Sequence, residues 1–143
     1  MSILHETRMA VRYAETDQMG VVHHSVFPVY FEVGRTEFFS RYLIPYAEME
    51  ARGLLAPVLE LSCRFHAGAR YGDELVLHTT PDWLRGLRLS MSYRMFRNHP
   101  GGELICTGST CHALLGKGMR PLRRSEFQEI YDRVREVFPN GAG

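Results

Sequence analysis

No stretch of about 18 consecutive apolar residues occurs in this 143-residue chain, so a helical membrane span is not expected. The opening residues MSILHETRMAV lack a basic region followed by an apolar core, and read as no signal peptide. Cysteine is scarce. Cys63, Cys106 and Cys111 are odd in number and form no CxxC pair, which argues against a disulfide framework and a structural zinc site. Each lies in a strand-like run and reads as a small buried hydrophobe. A reducing, cytoplasmic location is the expectation. Excess charge is missing too. The net charge of +1 offers no field for a polyanion, and no nucleic-acid partner is expected. GxGxxG and GxxxxGK phosphate loops are absent. His23 and His24 are adjacent, so their side chains point apart, and no third ligand stands at a standard spacing. No metal is expected.

What is present is ordinary for a globular protein, at 45% hydrophobic and 23% charged residues. The length fits one domain over residues 1–143, able to bury about two-thirds of its unfolded surface. No repeat or linker interrupts it. Residues 6–13, ETRMAVRY, alternate as a strand, and Ala14–His24 reads as a turn containing Gly20. From about Ser25 to Tyr42 the period changes: Phe27, Phe31, Phe38 and Tyr42 form one apolar stripe that includes Gly34, with Ser25 as N-cap and Pro28 in the first turn. Tyr30 and Val33 widen the apolar girth, so this helix is expected to be wrapped nearly all round, with Gly34 allowing sheet backbone to approach. Glu37 and Arg41 form an i,i+4 pair, and Arg35 is available to Glu32.

A short helical piece, Tyr46–Arg52, precedes four strand signals. In Leu59–His66 the residues Leu59, Leu61, Cys63 and Phe65 define one buried face. Gly72-Asp73 turns the chain into ELVLHTTPDWL, a second alternation runs Arg88–Arg94, and His99–Gly102 signals a hairpin into residues 103–115. Residues 125–138 read as a terminal helix with Phe127, Ile130, Tyr131 and Val134 on one side. The result is an α+β domain: an antiparallel sheet wrapped around a long central helix, with a core of about 6–124. Long strands leave open edges, one of which dimerisation that continues the sheet across two subunits would remove.

The stretch Tyr13-x-x-x-Asp17-x-x-Gly20-Val21-Val22-x-His24-x-x-Phe27, followed by Tyr30-Phe31-Glu32-x-x-Arg35-Thr36-Glu37, resembles the signature of hotdog-fold acyl-CoA thioesterases. It is similar to the 4-hydroxybenzoyl-CoA thioesterase family and its relatives associated with the Tol-Pal system. The likeness covers roughly residues 6–124. Glu15 stands where relatives often carry Asp, and Val26-Phe27 where they carry Asn-Tyr; both changes alter the pocket lining. The resemblance implies a hotdog fold, active sites at a subunit interface in a homodimer or a dimer-of-dimers homotetramer, an acyl-CoA substrate, and no cofactor beyond the coenzyme A of that substrate. Acyl-carrier protein is the alternative thiol carrier.

The residues suggest how such chemistry could run. The first turn of a helix offers unpaired N–H groups and about half a positive charge. A thioester carbonyl placed near the His24 N–H would be polarised there. Gly20 lets the preceding loop bend close, with Asp17 one short loop away. Asp17 reads either as a turn residue capping backbone N–H groups or, with the resemblance, as the nucleophile or general base. The leaving thiolate needs little protonation at neutral pH, so one carboxylate and a donor can suffice. His24 and Tyr13 join Asp17 as catalytic candidates, each with a packing role as the plainer reading. Gly20, Val22 and Phe27 are expected to line the substrate site. Arg64, Arg85 and Arg88, with Arg94 nearby, are candidates for the CoA phosphates. The rival class is a non-catalytic acyl-CoA or acyl-carrier-protein binding module of the same fold. A hydratase is disfavoured, because DQMGVVHH at residues 17–24 lacks the Asn and spacing of that motif.

Overall fold

A computed structural model describes residues 3–140 of the chain. Strand β1 (His5–Ala10) leads through the turn region to helix α1 (Phe27–Tyr42) and the short α2 (Tyr46–Ala51). Strands β2 (Val58–Phe65), β3 (Glu74–Arg85), β4 (Arg88–Arg97) and β5 (Leu104–Ala113) follow, and α3 (Gln128–Val137) ends the fold. The five strands make one antiparallel sheet in the order β1-β3-β4-β5-β2. This is the expected α+β arrangement of a sheet with one long helix on it. No helix among the described residues is long and apolar enough to cross a membrane.

The helix seats closely because the facing positions are complementary. Phe31 stacks on Tyr93 of β4 at 4.4 Å and 4°. Gly108 of β5 leaves room for that ring: a Cβ there would lie 2.5 Å from Phe31. Gly34 meets the side chains of Thr79 and Leu77 on β3 rather than sheet backbone. Phe31 and Phe38 of the helix and Leu75, Leu77, Met91 and Met95 of the sheet are fully buried. At the far end α3 buries Ile130, Tyr131 and Val134, and the Tyr131 hydroxyl donates to the Gly86 carbonyl at 2.8 Å, pinning α3 to the β3–β4 turn.

Several local expectations are corrected. β1 stops at Ala10, because the Arg12 N–H is taken by the Glu15 carboxylate at 2.8 Å and residues 13–15 coil into a 3₁₀ turn. α1 begins at Phe27. Residues 24–26 form a 3₁₀ turn in which Ser25 is not the cap: its N–H goes to His23 Nδ1 at 3.2 Å. Glu37 reaches His5 and Thr7 on β1, both at 2.9 Å, instead of Arg41, whose guanidinium lies over the Tyr42 ring. The helix is not wrapped all round, since Val29 and Val33 are 53% and 41% exposed. Nor is the apolar face of β2 buried: Leu59, Leu61 and Phe65 are 47%, 45% and 50% exposed, because β2 is the sheet's last strand and extends beyond the cover of α1.

Candidate active site

Residues 13–24 close into a tight loop before α1. Thr16 bridges Val22, the Asp17 N–H donates to the Val21 carbonyl, and the Gly20 N–H returns to the Asp17 carbonyl, the last two at 2.9 Å. The return needs φ +81° at Gly20, a conformation any L side chain would strain. Asp17 is half-buried. Its Oδ1 accepts the Met19 N–H at 2.8 Å, so it does serve the turn. Its Oδ2 has no protein partner among the described residues.

A second loop faces the first. After β2 the chain passes Ala67, Gly68 and Ala69, and the Val22 N–H donates to the Ala69 carbonyl at 2.8 Å. Gly68 permits this approach: a Cβ there would sit 2.8 Å from Val21 Cγ1. Arg97 anchors the loop from β4, its guanidinium reaching the Gly68 carbonyl, Asp73 and Glu103. Between the loops lies a cleft of about 260 Å³, whose walls include Asp17, Val22, His24, Phe27, Phe65 and Gly68. Phe27 and Phe65 meet edge to face at 5.3 Å, giving the cleft an aromatic wall.

His24 starts the helical run that α1 continues. The N–H groups of Ser25 and Val26 are taken by His23, whereas the His24 N–H has no protein acceptor among the described residues. Its ring is exposed and lies 4.2 Å from that of His23. The cleft thus holds a carboxylate with one uncommitted oxygen and the positive end of a 16-residue helix. No cluster of three His, Cys, Asp or Glu able to hold a metal occurs among the described residues.

The other candidates fall at graded distances. Tyr13 stands outside the cleft, 77% exposed, its ring edge-on to Tyr71 at 5.7 Å. Arg64 neighbours Phe65 on the edge strand. Arg94 lies on β4 beside Phe96. Arg85 and Arg88 pair across the β3–β4 turn, about ten residues and roughly 30 Å along the strands from the cleft end. Within this chain they are not brought to Asp17. Phe65, Ala67, Gly68 and Arg70 are cleft or rim residues that sequence reading passed over. Arg70 reaches within 3.5 Å of the place a Gly20 Cβ would occupy. The small-residue run HAGA after β2 was the available signal, but only the sheet pairing brings it to the Asp17 loop.

Comparison with known proteins gives concordant results. Residues 19–103 match the family model described as "Thioesterase superfamily". A protein of Bacillus subtilis (strain 168) named for acyl-CoA thioesterase activity, YneP, is 36% identical over 91% of this chain and 86% of its own length. The crystal structure of DHNA-CoA thioesterase from Staphylococcus aureus is 30% identical with a TM-score of 0.82, covering 94% of this chain and 92% of that one. A hypothetical protein from Thermus thermophilus, TT1821, is 38% identical with a TM-score of 0.81, covering 91% and 97%.

Proposed function

Because this chain belongs to the thioesterase superfamily and is a thioester hydrolase, we propose that it cleaves acyl-CoA in the cleft between Asp17 and the start of α1. The observation that carries this reading is the meeting of Asp17, His24 and Phe27 on one cleft. The carbonyl oxygen docks on the His24 N–H, where the helix end stabilises the oxyanion as it develops. The acyl group lies against Phe27 and Phe65. That aromatic wall suits an aromatic or a short to medium acyl group, and the name of the S. aureus relative supports the aromatic case.

Two routes fit the geometry. In the first, Asp17 Oδ2 bonds to the carbonyl carbon as the C–S bond breaks, and water opens the resulting anhydride to regenerate the carboxylate. In the second, Asp17 takes a proton from water as the water oxygen bonds to the same carbon, and the thiolate then leaves. Single turnover in ¹⁸O-labelled water tests the first route, since label arriving in the Asp17 carboxylate requires that water opened an anhydride at the Asp17 carbon.

The working form is a homodimer joined along β2. The edge strand β1 carries Glu6 and Arg8 in ion pairs, which blunts it, whereas β2 presents Leu59, Leu61 and Phe65 half-exposed. Pairing two β2 strands covers these residues and sets the Phe65 wall of each cleft at the seam. Arg64 and Arg70 are the basic residues placed to meet the CoA phosphates. The three unpaired cysteines suit a reducing cytoplasm.

The test is thiol release from a panel of aroyl-CoA, straight-chain acyl-CoA and acyl-carrier-protein thioesters. Asp17→Asn is expected to lower kcat by at least about 10²-fold while the fold and CoA binding persist, a loss of the size seen when one key polar group is removed from such a site. Binding across the panel without turnover would assign the chain to carriage or sensing instead.

A further inference from the structure

We infer that Glu15 is a positioning residue that, with Tyr30, fixes the separation between Asp17 and the His24 N–H. This rests on the roles proposed above for those two groups. Glu15 is 9% exposed, and a carboxylate so placed is costly unless its oxygens are satisfied. They are. Oε1 accepts the Arg12 N–H and the Tyr30 hydroxyl, both at 2.8 Å. Oε2 accepts the Arg12 guanidinium at 3.2 and 3.3 Å. Burial opposes ionisation, yet these donors outweigh it and hold the carboxyl below the usual carboxylate range. The backbone of the same residue is also engaged, its carbonyl accepting the His23 N–H at 2.9 Å.

One residue therefore ties three pieces of chain: the exit from β1 at Arg12, the returning limb of the loop at His23, and the first turns of α1 at Tyr30. Asp17 is two residues from the anchored carboxylate, and His24 is one residue from the anchored N–H. Tyr30 is itself fixed, 4% exposed and edge-on to Phe27 at 5.7 Å. Glu15 does not line the cleft, so its effect passes through the groups it holds. A misplacement of about 1 Å in such a pair can cost about 10²-fold in rate.

The experiment is steady-state kinetics on Glu15→Ala, Glu15→Gln, Tyr30→Phe and Asp17→Asn, using whichever acyl-CoA the wild type turns over best and working well below each variant's melting temperature. Glu15→Ala is expected to lower kcat about 10- to 100-fold with KM changed less than about threefold. Glu15→Gln keeps an Oε1 for both the Arg12 N–H and Tyr30 and gives up only the acceptor of the exposed Arg12 guanidinium, which can turn to water, and is expected to restore kcat to within about threefold of wild type. Tyr30→Phe, which removes one hydroxyl and keeps the ring, is expected to fall between them. Wild-type kcat in Glu15→Ala beside an inactive Asp17→Asn overturns the clamp and leaves the role of Asp17 standing. Full turnover in Asp17→Asn overturns both. Equal losses in Glu15→Ala and Glu15→Gln place the effect in charge rather than geometry, against the inference. If Glu15→Ala fails to fold, Tyr30→Phe decides alone, and unchanged kcat in that variant is the overturning result.

Discussion

Gly34 determines how closely α1 lies on the sheet, and Gly34→Ala tests that seat. Away from other groups, Ala in place of Gly stabilises a helix by about 1 kcal/mol. Here the added methyl would stand 2.5 Å from Thr79 Oγ1 and 2.6 Å from Leu77 Cδ2. Both neighbours are fully buried, and a β-branched side chain such as Thr79 turns stiffly about χ1. Overpacking costs about 1–3 kcal/mol, and two contacts at 2.5 and 2.6 Å place this case at about 2–3 kcal/mol, so after the helix gain a net loss of about 1–2 kcal/mol is expected. For a chain of this length that lowers Tm by about 3–7 °C. The assay is thermal unfolding by circular dichroism at fixed protein concentration, because dimerisation would make Tm depend on concentration. In a Thr79→Ala background one of the two obstacles is gone and Leu77 remains, so Gly34→Ala should cost less by about 0.5–1 kcal/mol, a coupling typical of residues in contact. A rise in Tm for Gly34→Ala, or the same loss in both backgrounds, would refute the argument.

Other outcomes follow from the edge strand and from a buried histidine. Leu61→Glu places a charge on the half-exposed face of β2. It is expected to convert a dimer into a monomer by size exclusion with light scattering, with a drop of more than about tenfold in turnover as the wall at Phe65 loses its cover. A wild-type protein that elutes as a monomer removes that interface. His112 is fully buried, with Nδ1 donating to the Ala56 carbonyl at 2.9 Å and Nε2 accepting from Thr110 at 2.8 Å. Burial, with the Arg35 charge adding to it, depresses its pKa to about 4. The unfolded chain then binds the extra proton below about pH 6.5. The neutral histidine's contribution, about 3 kcal/mol, is present above that pH and lost as the pH falls towards 4. Urea unfolding of wild type and His112→Gln across that window should give a shallower slope for the variant, and parallel slopes would count against the assignment.

How much of this was legible in the sequence depends on where the partners of each residue lie. The order of elements was readable because hydrophobic period is local: the helical stripe of Phe27, Phe31 and Phe38 and the alternations of β2 and β4 need no distant information. The side of the cleft formed by Asp17, Val22, His24 and Phe27 was legible through the motif resemblance, whose spacing lies within one short stretch of chain, while Tyr13 of the same motif stands outside the cleft. The opposite wall was not. Ala67 and Gly68 look like any small-residue loop until Val22 pairs with Ala69, a contact fixed by sheet topology alone.

Glu15 illustrates the limit more sharply. Its position read as a change in pocket lining, yet its partners stand at residues 12, 23 and 30, and it turns out to bind the loop from within. The strand over residues 59–65 failed in a different way. A period-2 pattern states that one face of a strand is apolar, but not whether the cover comes from the chain's own helix or from a second molecule. α1 leaves Leu59, Leu61 and Phe65 half-exposed and its own Val29 and Val33 open, so strand and helix both lack cover within the single chain. A second copy joined along β2, as proposed above, would supply both, and the alternation of one edge strand and the girth of one helix each describe more burial than the single chain provides.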